Sequence, residues 1–245
     1  YVYDDDQASV TIQSLSSSFT TKLYWKRYLL LVIFIMYSAS NAFQWIEYSI
    51  ISNIIEKYYS VSVFWVNSTS VVYMVSYIIG IIPASWLLEK KGLRFCILIG
   101  SFGTCFGSWI KSLSIRPDRF WVTMIGQTVV AFSQLFILNI PPLLAAIWFA
   151  ENEVSRATAF GVFGNQLGIA LGFFLPSIIV PKFIDNTNNT LNHTGMQFTG
   201  NSTNSSTSNI HEVSQGLSTL FFSVSIVTSI IFFLIIFLFS SKPKY

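Results

Sequence analysis

Charge is what this chain has least of. Only 10% of its 245 residues are charged, where soluble globular domains carry about 25%, so a surface clothed against water is excluded. The net charge of +3 is too small to attract a nucleic acid. Cysteine is nearly absent: Cys96 and Cys105 fall in one apolar stretch, roughly 13 Å apart along a helix, too far for a disulfide, and are expected as two buried thiols. Neither CxxC nor zinc spacing occurs. The two histidines, His193 and His211, lie in one polar segment, so no span offers an imidazole ligand. Phosphate-binding loop, nucleophile elbow, metal motif and paired carboxylates are all missing. The chain offers no constellation for enzymatic chemistry, and neither a cofactor nor a metal is expected.

What the chain has in excess is apolar length. Hydrophobic residues make up 52% of it, 23 of them Phe, and the mean hydropathy is +0.57. A membrane span needs about 20 mostly apolar residues. Six runs qualify: Tyr28–Ile55, Phe64–Leu88, Leu93–Leu113, Phe120–Phe149, Val154–Val180 and Leu217–Phe239. They are too long for barrel strands and apolar on all sides, so their backbone groups must be satisfied within each run, as in helices. An all-α membrane protein of six transmembrane helices follows. The chain opens on Tyr1 rather than Met, so residues are expected before it, and no signal peptide is evident.

Basic residues set the orientation. With residues 1–27 and the tail 240–245 in the cytoplasm, the inside holds Lys22, Lys26, Arg27, Lys90, Lys91, Arg94, Arg156, Lys242 and Lys244. The outside holds Lys57, Lys111, Arg116, Arg119 and Lys182; Arg116 and Arg119 run against the bias. The polar stretch 181–216 carries acceptor sequons at Asn188, Asn192, Asn201 and Asn204. It reads as an unstructured, glycosylated extracellular loop, in agreement with the charge count.

Polar residues inside the spans carry the functional signal. Asn41, Trp45, Tyr48 and Ser52 recur on one helical face of the first span, bordered by Gln44. Trp45 and Tyr48 suit two walls of a cation cage, or serve in helix packing. Glu47 is the acidic residue deep in a span. It would balance a cationic substrate, carry a proton, or be structural. No Lys or Arg is expected at mid-membrane. Gly164, Gly168 and Gly172 in the fifth span allow close helix approach, with the amides of Asn165 and Gln166 among them. Ser76, Gly80 and Ala84, and also Gly103 and Gly107, repeat the small-residue spacing. Pro83 and the pair Pro141-Pro142 are expected to kink or interrupt their spans.

The turn Leu87-Leu88-Glu89-Lys90-Lys91-Gly92-Leu93-Arg94 resembles the cytoplasmic signature of the major facilitator superfamily, with Glu89, Lys90, Gly92 and Arg94 as the matching positions. Glu89 replaces the usual Asp, Ser85 the leading Gly and Leu93 one base. The words Asn41-Ala42-Phe43-Gln44-Trp45-Ile46, Pro83-Ala84-Ser85-Trp86-Leu87-Leu88, Phe120-Trp121-Val122-Thr123-Met124 and Gly164-Asn165-Gln166-Leu167-Gly168 are similar to the feline leukaemia virus subgroup C receptor family (solute carrier family 49), over residues 25–182. That resemblance implies the N-terminal half of a major facilitator fold, a plasma-membrane location, and a substrate of choline or ethanolamine, with haem export as the alternative. It implies Trp45 and Gln166 as pocket residues; Tyr48, Gln44, Asn41 and Glu47 are the further substrate-binding candidates, from the polar residues of the first span itself. Glu47 stands where vertebrate relatives are expected to carry Gln. The usual mid-membrane Arg of the fourth span is missing, which favours uniport over proton coupling. A complete member has two six-helix halves, so a missing C-terminal half or another chain is the implied partner. A non-transporting, half-length regulator or surface receptor is the rival reading.

Overall fold

The computed structural model describes residues 25–181 and 202–239. Among them the chain forms α1 (Lys26–Ile46), α2 (Ser52–Tyr59), α3 (Val63–Lys91), α4 (Leu93–Ser112), α5 (Phe120–Trp148), α6 (Val154–Ile179) and α7 (Ser202–Leu238). All but α2 contain a stretch long and apolar enough to cross a membrane, in α7 the part Ile210–Leu238.

Two apolar clusters mark the two ends of the bundle. One gathers Leu30, Leu88, Leu93, Trp148, Ala157 and Phe239; the other gathers Tyr48, Tyr59, Phe120, Val180 and Leu217. Successive long helices therefore run in alternate directions. At the first end Arg27 Nη1 donates to Glu153 Oε2 at 2.5 Å, tying the start of α1 to the residue before α6. The guanidinium also lies 4.6 Å from the Tyr28 ring centroid and 5.3 Å from that of Phe149.

The first span is not one helix. It stops at Ile46, turns through residues 47–51 and restarts at Ser52. Neither Gly nor Pro causes this; side chains from neighbouring helices take over the freed carbonyls. Gln127 Nε2 of α5 donates to Gln44 O at 2.8 Å, and Ser70 Oγ of α3 donates to Trp45 O at 3.3 Å. The short α2 is then anchored by its tyrosines: Tyr59 Oη donates to Ser114 O at 2.8 Å, and Tyr58 Oη donates to Ile115 O. Conversely, α3 and α5 continue through Pro83 and through Pro141-Pro142 without interruption.

The last helix starts earlier than the hydropathy suggests. It reaches back to Ser202, through residues read from sequence as an unstructured loop to 216. An apolar stripe carries the helix back as far as Val213: Val213, Leu217, Leu220 and Phe221 repeat at helical spacing and are buried in the second cluster. Asn188, Asn192 and Asn201 lie outside the described residues, as does the Asn204 side chain.

Glycines bring α1 and α6 together. A Cβ at Gly164 would lie 2.9 Å from Ile35 Cα, and one at Gly168 would lie 2.2 Å from Ala39 O. Both obstacles are backbone, which cannot swing aside. Gly168→Ala is accordingly expected to cost about 1–3 kcal/mol by overpacking, read as a lowered thermal midpoint of the detergent-solubilised protein. The exposed Gly80 neighbour Ile79 should accept Ala with no measurable shift. Gly107 and Gly126 do for α4 and α5 what the α6 glycines do for α1, since a Cβ at Gly107 would lie 2.8 Å from Gly126 O.

Candidate functional site

The break after α1 collects the polar residues of the first span, but it does not present them on one face. Asn41 is fully buried: its Nδ2 donates to Thr104 Oγ1 of α4 at 3.0 Å and to Val130 O of α5 at 3.3 Å. Gln44 is equally buried, and its Nε2 donates back to Ser40 O at 3.3 Å. The Asn41 amide ties α1 to α4 and α5, while the Gln44 amide bonds within α1 and only its backbone carbonyl reaches another helix, through Gln127. Trp45 is half-buried and turns towards α3. Its Nε1 donates to Ser70 O at 3.2 Å, and its ring lies 6.2 Å from that of Tyr73. Ser49 Oγ and Ser70 Oγ, 2.8 Å apart, close the same junction.

Tyr48 departs from the expected cage. It is fully buried, belongs to a different cluster from Trp45, and lies 5.9 Å from the Phe221 ring of α7. Extrapolating 100° per residue from Trp45 fails because the helix has ended between them. Tyr48 therefore does not form a second wall with Trp45.

Glu47 is not a free carboxylate. Lys111 Nζ, from the last turn of α4, lies 2.5 Å from Glu47 Oε1, and both side chains are no more than 2% exposed. Lys111 also donates to Gln127 Oε1 at 3.3 Å. Lys111, counted from sequence with the outside charges, is instead buried inside the bundle at the end of α4. Lys111 and Gln127 are the residues that sequence reasoning missed. The available signal was the lone acid: a carboxylate buried in a span demands a cation, and Lys111 sits inside an apolar run that continues to Leu113.

Gln166 is exposed on α6, on the side away from the glycine row that packs against α1. Asn165 beside it is half-buried, with an Nδ2 that finds no hydrogen-bond partner among the described residues. Within this chain the structure leaves Gln166 open and engages Trp45 with α3, so the two are not joined in one closed pocket. At the other end, Gly92 adopts φ +81 between α3 and α4, a conformation that favours glycine. Glu89, Lys90 and Arg94 of the signature turn are exposed around it, and Lys90 Nζ lies 4.5 Å from the Trp86 ring centroid. Of the two thiols, Cys96 is buried, while Cys105 is half-buried with its Sγ 3.3 Å from Ser229 Oγ.

The chain is 48% identical over 222 residues to an uncharacterised MFS-type transporter of Caenorhabditis elegans, covering 91% of this chain and 34% of that protein. It is 43% identical over 238 residues to the choline/ethanolamine transporter flvcr2a of Danio rerio, covering 97% of this chain and 45% of the relative. With the choline/ethanolamine transporter FLVCR2 of Homo sapiens the identity is 38% over 220 residues, 90% of this chain and 37% of that one. The chain thus spans less than half the length of these curated relatives. No family model matches it.

Proposed function

We propose a function from one premise: this chain belongs to the feline leukaemia virus subgroup C receptor family, within the major facilitator superfamily. It serves as the N-terminal six-helix half of a transporter that moves choline- and ethanolamine-like cations across a membrane by alternating access. The observation that carries this reading is Trp45. Its indole is fixed to α3 at a helix break, half-exposed, inside the segment shared with relatives named for choline and ethanolamine. A fixed indole face attracts a quaternary ammonium, which offers no N–H for a conventional hydrogen bond. Gln166, exposed on α6, adds an amide from the same half.

The helices α3 and α6 are the least covered of the six spans. Met74, Ile78 and Ile82 on α3, with Phe163, Phe174 and Ile178 on α6, stand exposed and supply the seat for the second half. Substrate would bind between the halves, so that Trp45 and Gln166 meet their remaining partners there. The protein works in the plasma membrane with both termini in the cytoplasm and the sequons at Asn188, Asn192, Asn201 and Asn204 outside. No enzymatic step is part of this reading.

Uptake of labelled choline by cells expressing the chain in its full-length native context tests it, with unlabelled ethanolamine as competitor. Saturable uptake that ethanolamine inhibits is expected. A well-expressed protein that a membrane-impermeant glycosidase trims at the surface, yet that carries no choline, would end the substrate assignment.

A further inference from the structure

Lys111 does more than balance a charge: it occupies an ammonium site. Its Nζ has the Glu47 carboxylate at 2.5 Å, the Gln127 amide oxygen at 3.3 Å and the Tyr48 ring centroid at 5.8 Å. Two of its three N–H donors thus find acceptors, and a π-face meets the charge, a combination that suits a primary ammonium. The cradle is sterically prepared, since a Cβ on Gly126 would stand 2.7 Å from Lys111 Cγ. Its walls are fixed, because Gln127 also donates to Gln44 O at 2.8 Å. Acceptor capacity is left over: Glu47 Oε2 is buried with no hydrogen-bond partner among the described residues.

This site adjoins the cation site of α1. Glu47 is two residues from Trp45, at the same helix break. Tyr73, the ring beside Trp45, has a buried hydroxyl with no partner among the described residues, and it lies within electrostatic range of Glu47. Ethanolamine carries three N–H donors on its cationic head and choline carries none. An unoccupied Glu47 would reward the first and gain little from the second. With Lys111 seated, the carboxylate is already spent, and the aromatic contact at Trp45, indifferent to N–H donors, decides.

We infer that Lys111 is a specificity-determining residue, which fills the Glu47–Gln127–Tyr48 ammonium site and so keeps the neighbouring cation site selective for quaternary over primary ammonium substrates. The inference rests on the functional reading above.

The test measures KM for labelled choline and labelled ethanolamine in the full-length protein, with uptake normalised to membrane expression. Wild type, Lys111→Met, Lys111→Arg and the double variant Glu47→Gln/Lys111→Met are compared through the ratio of the two KM values. Lys111→Met is expected to shift the ratio towards ethanolamine by about tenfold, the scale of one charge-assisted hydrogen bond. Lys111→Arg, which keeps the cation, and the double variant, which removes both charges, should stay within about twofold of wild type. A merely structural role would raise both KM values together and leave the ratio alone. If Lys111→Met does not reach the membrane, Lys111→Gln makes the same comparison against the double variant, with a shift in the same direction expected. An unchanged ratio in the variant that loses the Lys111 charge, or an equal shift in the double variant, overturns the inference while choline transport stands. Wild type that carries neither substrate overturns the functional reading, and this inference with it.

Discussion

Replacing Trp45 by Ala is expected to lower choline uptake by about thirtyfold, since a desolvated cation–π contact is worth about 2 kcal/mol. The loss should fall on KM when binding equilibrates before the transport step. Trp45→Phe keeps a ring but gives up both the larger π-face and the bond from Nε1 to Ser70 O, so it should retain part of the affinity. Ser70→Ala provides a further check. It leaves the indole in place but withdraws the hydroxyl that caps Trp45 O and meets Ser49. Uptake should fall less than for Trp45→Ala, through a looser indole. Equal uptake by wild type and Trp45→Ala, at matched surface expression, would remove Trp45 from the site.

Removing one member of the Glu47–Lys111 pair should be the most destabilising single change in this half. Both groups are buried, and the bond between them joins the broken end of α1 to α4. Glu47→Ala strands an ammonium in a low-dielectric interior, which costs about 3–5 kcal/mol. The double variant Glu47→Gln/Lys111→Met strands nothing and should recover most of that loss, because a neutral pair of similar volume avoids the desolvation penalty. Thermal unfolding of the purified protein in detergent, followed by loss of monodispersity, gives the comparison. If Glu47→Ala melted with wild type, the pair would have to be accessible to water.

The same pair shows why part of the site was legible in the sequence and part was not. Glu47 stood out because a charged group at membrane depth is rare and costly, and Trp45 and Gln166 stood out through the family words in which they stand. The partner of Glu47 was not legible. Lys111 is 64 residues away, and a lysine two residues from the end of a span is counted with the charges of the adjoining loop. The misplacement of Tyr48 has a related origin. Helical periodicity holds only while the helix does, and the helix ends on account of Ser70 and Gln127, donors from two other helices. No local signal announced the break, since the segment Ile46–Ser52 has neither Gly nor Pro.

The sequence by itself determined that this is a membrane protein of six spanning helices, because twenty apolar residues in a row leave a chain nothing else to do. It determined close packing along the glycine rows of α6, where the absence of a side chain is the message. It also determined the family, through uncommon words in order. Only the tertiary structure decided where the first span breaks, which side of it Trp45 and Tyr48 each take, and that Glu47 is already paired. Those are questions about partners. A carbonyl, a carboxylate or an aromatic ring carries the same chemistry wherever it stands, and its role is settled by what other helices bring within about 3–6 Å of it.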